Sequence, residues 1–461
     1  MLKTHASVDF SKITGKINPR LHCASFSPEF NSRGLRNTDD IIKSMNLTAV
    51  RTHDWALVNA GQRIIDTHFV FPMMNLDPKD PTNYFFDATD SILKLTHDLG
   101  MKVLYRMGTS IEHTGSAGHF NITIPEDYDK YAEVMAGIVR HYTKGWANGF
   151  NWDTIEWEFW CEPDGVQNCW AGNGEPEDVL REKFIRLFVT VLKRLKSEFP
   201  DIKVGGPGLV KVRPDYFTAL LTACKEAGIA PDFVSWHHYS GSPRPDILID
   251  SPKVMRKLCD DLGFKDTKLM ISEWHYLITW DGLHGNPLFF TPSAAMRALE
   301  GPTGHNNIDS ATFNLYVMSN WQKDSILDHA FYYGCGHTGA WGYMTTDGTL
   351  TKTYYSLKMM GEIVANCESI AESEASSKKI STLAAWSKDK KTAYFLVNEY
   401  RGVDQILNVE INGLDNIKRI EAYALDNTRD MMPISVKMKN NKITLFKDGP
   451  NSAAFLLKFE I

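Results

Sequence analysis

The sequence predicts a (β/α)8 barrel followed by a C-terminal antiparallel β-sandwich, on three observations. From about residue 16 to residue 362, short apolar segments alternate with helix-patterned ones, and eight such units in succession favour a closed parallel barrel over an open sheet. Two of the apolar segments, Ile155-Glu156-Trp157-Glu158-Phe159-Trp160-Cys161-Glu162-Pro163-Asp164 and Lys268-Leu269-Met270-Ile271-Ser272-Glu273-Trp274-His275-Tyr276, run into aromatic clusters that carry a glutamate. That is the pattern of a buried strand opening at a barrel mouth. Beyond Cys367 the texture changes to short alternating segments separated by turns, as in a sandwich.

In chain order, Ala6 to Phe10 alternates like a strand and is cut off by Gly15 and Pro19, so it is expected to join the sandwich. The barrel strands are read at 21–25, 48–53, 102–107, within 155–164, at 203–207, 233–239, within 268–276 and at 329–333. The helices between them are read at 38–45 behind the cap Asn37, 88–99 ending at Gly100, 127–142, 179–198, 215–227, 252–262 starting on Pro252, and 310–322. Sandwich strands follow at 382–386, 392–397, 406–411, 417–423, 443–446 and 453–459. The expected domains are a barrel over 16–362 and an accessory domain of 1–15 plus 363–461.

With 461 residues the chain can bury a large core, and its net charge of -6 comes without basic runs, which argues against nucleic acid and anionic membrane as partners. No stretch approaches the roughly 20 apolar residues of a membrane span, so the protein is expected to be soluble. The start, Met1-Leu2-Lys3-Thr4-His5, has no apolar signal region, but removal of a leader would leave the same start. The compartment is therefore open between cytoplasm and export. Seven scattered cysteines lack the paired short spacings of a zinc site, so most are expected to be free, buried thiols.

A glutamate at the end of each of two strands is the feature that asks for an explanation. Isolated glutamates are usually solvated, whereas a carboxylate walled by Trp160, Trp274 and Tyr276 is costly to bury without a task.

The stretch Trp157-Glu158-Phe159-Trp160-Cys161-Glu162-Pro163-Asp164 resembles the acid/base motif of the retaining glycoside hydrolases built on (β/α)8 barrels. With Val50-Arg51-Thr52-His53 before it and Gly205-Gly206-Pro207-Gly208 and Asp232-Phe233-Val234-Ser235-Trp236-His237-His238-Tyr239 after it, the chain looks most like glycoside hydrolase family 39, which includes β-xylosidases and α-L-iduronidases. The resemblance implies Glu162 as general acid/base and Glu273 as nucleophile, with an oligosaccharide or polysaccharide as substrate and neither cofactor nor metal. It also implies that Tyr239 hydrogen-bonds the nucleophile and that Arg51, His53 and His237 lie near the glycone. Repulsion from Glu273 is expected to raise the pKa of Glu162. Trp274 and Trp341 are expected to line the pocket, and Arg106 and Glu158 to form an interior charge pair. One departure stands out: the residue before the acid/base is usually Asn in this clan, where its amide contacts the sugar 2-hydroxyl, and here it is Cys161. A thiol is a weak donor and acceptor, so an unusual glycone becomes plausible. The oligomeric state is not legible.

Two rival readings have weaker support. A metal-dependent hydrolase would draw on His53, His237, His238 and His275, but neighbouring strand residues face opposite sides, which makes His237 and His238 poor joint ligands. A carbohydrate-binding protein without catalysis is suggested by Cys161 and opposed by the survival of both carboxylates.

Overall fold

The computed structural model describes residues 4–25, 39–53, 64–109, 123–165, 169–172, 174–239, 244–277, 304–334, 342–345 and 348–461. A first strand, β1 (Ala6–Lys16), precedes eight strands that close a parallel barrel in sequence order: β2 (Cys23–Ser25), β3 (Ala49–Arg51), β4 (Lys102–Met107), β5 (Ile155–Phe159), β6 (Lys203–Leu209), β7 (Phe233–Tyr239), β8 (Lys268–His275) and β9 (His329–Tyr332). Closure is made where Cys23 and Ala24 of β2 pair with Phe331 and Tyr332 of β9. The expected barrel is thus present, with Glu162 following its fourth strand and Glu273 on its seventh.

Helices cover the barrel because one face of each is apolar. The helix Tyr128–Lys144 starts where the Asp127 side chain accepts from the Lys130 N–H and stops at Gly145 in the left-handed region. It buries Val134, Ile138 and Tyr142. The helix expected to begin at Pro252 begins instead at Pro245 and runs to Leu262 with Pro252 inside it. A proline in mid-helix removes the bond to the carbonyl four residues back, here Leu248. The Ser251 hydroxyl donates to that carbonyl at 3.0 Å, and so the helix continues. Among the described residues no helix is long and apolar enough to cross a membrane.

The C-terminal strands are β10 (Cys367–Ala375), β11 (Ile380–Ser387), β12 (Thr392–Glu399), β13 (Ile406–Asn412), β14 (Arg419–Leu425), β15 (Met432–Ile434), β16 (Lys442–Phe446) and β17 (Ala453–Glu460). Together with β1 they form one continuous nine-stranded sheet, in the order β15-β14-β17-β12-β11-β10-β1-β13-β16. All pairings are antiparallel except that of β1 with β13. The sheet curls on itself: Phe10 of β1 meets Phe459 of β17, four strands away, with ring centroids 6.2 Å apart. Val8, Phe395, Val409, Leu445 and Phe455 fill the enclosed core. The expected sandwich is therefore a single curled sheet, and the opening strand belongs to it. This sheet rests on the helix Ile308–Asp324. Asn398 donates to the Thr312 carbonyl at 2.9 Å, and Arg401 reaches both Asp309 at 3.1 Å and the Tyr276 hydroxyl at 3.3 Å.

Candidate active site

Glu162 is placed by a strained turn. After β5 the chain passes through Trp160 at φ +79° and Glu162 at φ +49°, left-handed values that cost a bulky residue about 1–3 kcal/mol each. Packing holds the turn. The Trp160 ring lies against Gly108, where a Cβ would come within 2.4 Å of it, and its indole N–H donates to the Cys169 carbonyl at 2.8 Å. The Glu162 N–H then donates to the Gly208 carbonyl at 2.9 Å. Gly208, at φ +63°, leaves room for the next layer, since a Cβ there would stand 3.1 Å from His237 Nε2.

Glu273 is held more tightly. Its Oε1 accepts from Arg51 at 2.6 Å and faces His53 Nε2 at 2.8 Å. Its Oε2 accepts from the Tyr239 hydroxyl at 2.6 Å. His237, register partner of Glu273 between β7 and β8, stands between the two glutamates. Its Nδ1 is 2.7 Å from Glu162 Oε1 and 3.5 Å from Glu273 Oε2. One oxygen of each glutamate and this ring nitrogen all lie within 4.8 Å of one another. Five residues singled out in the sequence, Arg51, His53, His237, Tyr239 and Cys161, thus converge on the carboxylate pair.

The environments of the two carboxylates differ. The Glu162 side chain is 20% exposed and that of Glu273 only 5%. Burial by itself would push Glu273 up, but the charges of His237, His53 and Arg51 outweigh it and hold this carboxyl well below the usual carboxylate range. For Tyr239, burial and the Glu273 charge push the phenol well above its ordinary value, so it stays a donor. The Cys161 thiol is buried with Sγ 3.5 Å from His53 Nε2, and burial raises it too.

Two expectations change. Trp274 does not line the site: as the outward neighbour of Glu273 it is 1% exposed and packs edge-on against Trp321 and Tyr332, with centroids 5.2 and 5.0 Å away. Arg106 and Glu158 do not pair with each other. Arg106 is bonded to Asp66, and Glu158 takes Arg51 at 2.5 Å. Of the four histidines of the metal reading, His238 pairs across to Trp274 and His275 packs near His305; only His53 and His237 reach Glu273. Trp341 lies outside the described residues. Tyr333, not singled out in the sequence, stands beside the site with its ring 5.5 Å from His53 and 5.8 Å from Tyr239. Its place at the end of the eighth strand was the available signal.

Both side chains of the Arg51–Glu158 pair are 0% exposed. Glu158→Ala leaves Arg51 with Glu273 as its remaining carboxylate partner at 2.6 Å, so what is lost is one charge-assisted hydrogen bond, and the variant is expected to lose about 1.5–3 kcal/mol in chemical denaturation.

Asp164, two residues past Glu162, accepts from the Val210 N–H at 3.0 Å with its side chain 2% exposed. Burial pushes this carboxyl from its ordinary 3.8 up to about 6. The folded state therefore holds the proton more firmly than the unfolded one, and stability falls as pH rises through this window. Asp164→Asn keeps an acceptor for Val210. It is expected to be more stable than the parent by about 2 kcal/mol at pH 8, with the advantage gone below the ordinary value; melting curves across pH check this.

A model of Glycosyl hydrolases family 39 matches residues 27–253, about half of the chain, a stretch that includes Arg51, His53, Glu162, His237 and Tyr239. Over that stretch the chain belongs to glycosyl hydrolases family 39. Glu273 lies beyond the matched family 39 segment and is tied to it by the strand register just described. A β-xylosidase from Geobacillus stearothermophilus is 27% identical over 233 residues, 46% of this chain and 43% of that protein, so the chain spans less than half of that relative's length. Among solved structures, a glucosidase from Croceicoccus marinus superposes with TM-score 0.77 and 20% identity over 99% of each chain. An α-L-arabinofuranosidase from Thermotoga maritima does so with TM-score 0.66 and 16% identity over 100% of each. These two likenesses establish the shared fold, accessory sheet included.

Proposed function

We propose that the protein is a retaining glycoside hydrolase that cleaves a terminal glycosidic bond of an oligosaccharide or polysaccharide by double displacement. The observation that carries the reading is the approach of Glu162 and Glu273 around His237, with one oxygen of each and the ring nitrogen mutually within 4.8 Å. Retaining enzymes hold their carboxyls about 5–5.5 Å apart, whereas inverting ones need about 6.5–9.5 Å to admit a water. The match to the family 39 model supports the same class.

In the first step Glu273 bonds to the anomeric carbon while the C–O bond to the leaving group breaks, and Glu162 gives that oxygen its proton. In the second, a water gives its proton to Glu162 and its oxygen to the anomeric carbon, releasing Glu273. Arg51, His53 and Tyr239 aim Glu273 and keep it ionised. The ester removes its charge, which lets Glu162 change from acid to base. The partly open Glu162 side and the closed Glu273 side suit these unequal tasks. Mutual placement of this kind is worth several kcal/mol of the barrier. A binding module without turnover, the reading that Cys161 suggests, has no use for a carboxylate kept ionised behind three donors.

The glycone is a separate matter, since the three relatives are named for three different sugars. We propose that Cys161, against His53, shapes the pocket at the sugar 2-position, where a weak acceptor replaces an amide. Cys161→Asn is then expected to raise kcat/KM on ordinary β-xylosides by about tenfold, the effect of one hydrogen bond to the sugar. An unchanged ratio across glycones removes Cys161 from specificity. A screen of aryl glycosides with the parent protein tests the class itself: release of an aryl alcohol from at least one glycoside is expected, and none from any panel member argues against it.

A further inference from the structure

A second group of atoms at the site has a different chemistry from the carboxylate pair. His53 Nε2, Cys161 Sγ and a Glu273 oxygen lie within 4.8 Å of one another, all three residues buried. Nitrogen, thiolate and carboxylate form a donor set suited to a borderline-soft divalent ion such as zinc. We propose that the pocket binds one thiophilic divalent cation, zinc above all, through His53, Cys161 and Glu273, and that this binding blocks the enzyme.

The spacing fits. With Zn–S near 2.3 Å and Zn–N near 2.0–2.1 Å, tetrahedral ligands stand about 3.6 Å apart for nitrogen and sulfur; His53 Nε2 and Cys161 Sγ are 3.5 Å apart. The His53–Glu273 contact of 2.8 Å opens by about half an ångström as the ion replaces the hydrogen bond. Supporting contacts exist as well: Tyr239 holds the other Glu273 oxygen, and Tyr333 meets the His53 ring edge-on at 79°. Such outer contacts aim ligands.

Arg51, 2.6 Å from the same Glu273 oxygen, is the argument against a cation. It is answered by Glu158, bonded to Arg51 at 2.5 Å. With His53 neutral, as a metal ligand must be, the two carboxylates outnumber the guanidinium by one charge. A zinc ion that enters releases the Cys161 thiol proton, and any proton on His53 Nε2, to solvent, and leaves Arg51, Glu158, Glu273, Cys161 and the ion neutral as a group. Glu273, as a metal ligand, then cannot attack carbon. The effect is opposite in sign to a metal-dependent hydrolase, because chelation restores turnover.

Metal binding stands on the geometry of His53, Cys161 and Glu273; the block of hydrolysis rests on the proposed function. Titrating the intact protein with Co2+ alone separates them. One equivalent is expected to give a sulfur-to-cobalt charge-transfer band that Cys161→Ser abolishes and Cys259→Ser, a cysteine on an outer helix, keeps. Zn2+ alone is expected to displace the cobalt, to inhibit glycoside hydrolysis and to be reversed by chelator. A protein that hydrolyses glycosides but shows no such band, or a band that survives Cys161→Ser, overturns the site and leaves the glycosidase reading standing. The band without any hydrolysis supports the site and counts against the function.

Discussion

Glu273→Gln is expected to reduce turnover of every glycoside to the assay background while the fold persists. The amide is close in shape to the carboxylate, and Arg51 keeps Glu158 as its partner at 2.5 Å. What disappears is the nucleophile, and with it the covalent step that divides one difficult displacement into two. Azide offers a sharper readout. Bound in the space that Glu273→Ala leaves on that face, it can attack the anomeric carbon directly while Glu162 protonates the leaving oxygen, so the glycosyl azide formed should have inverted configuration. Undiminished hydrolysis by Glu273→Gln would reject the nucleophile assignment.

Glu162→Gln is expected to divide substrates by leaving group. Proton donation contributes about 10²–10⁴-fold where the departing oxygen is a poor leaving group, so natural oligosaccharides should lose that much. Aryl glycosides with acidic phenols need little protonation, and their first step should proceed nearly as before. The second step then lacks its base: the glycosyl-enzyme accumulates, and a burst of phenol precedes slow turnover. Azide should speed that turnover and give a product of retained configuration. A uniform loss across leaving groups would show that Glu162 acts in some other way.

Much of the barrel was legible because its strands are buried on both sides and read as apolar runs. Lys102–Met107 and Phe233–Tyr239 were read with the bounds the structure has. The strand β10 was missed, since Cys-Glu-Ser-Ile-Ala-Glu-Ser-Glu-Ala has almost no apolar alternation. It is held instead by ladders to β1 over Ser369–Ala375 and to β11 over Cys367–Ala371, each with a register shift, a tertiary effect that no local window carries. The early start of the helix at Pro245 was hidden for a related reason, because a serine hydroxyl replaces the bond a proline forfeits.

At the site, residue types were readable and partnerships were not. Arg51, His53, His237, Tyr239 and both glutamates stand at strand ends, which a barrel brings to one mouth. Which charge takes which depends on closure. Asp66, the partner of Arg106, sits in a segment with no periodic signal, so the Arg106–Glu158 pairing looked natural from sequence. Trp274 follows Glu273 directly, and strand alternation sends it outward; applying that rule to both residues would have removed it from the pocket. Cys161 was marked as a departure, and its contact with His53 gives that departure a physical setting.

The central claim is that the two carboxylates are close enough for a covalent glycosyl-enzyme to form. The stereochemistry of the first-formed product tests it most directly: proton NMR of a single aryl glycoside during the first minutes of hydrolysis, before the free sugar mutarotates. Double displacement through Glu273 predicts the same anomeric configuration in product as in substrate. Release of the opposite anomer would contradict the account.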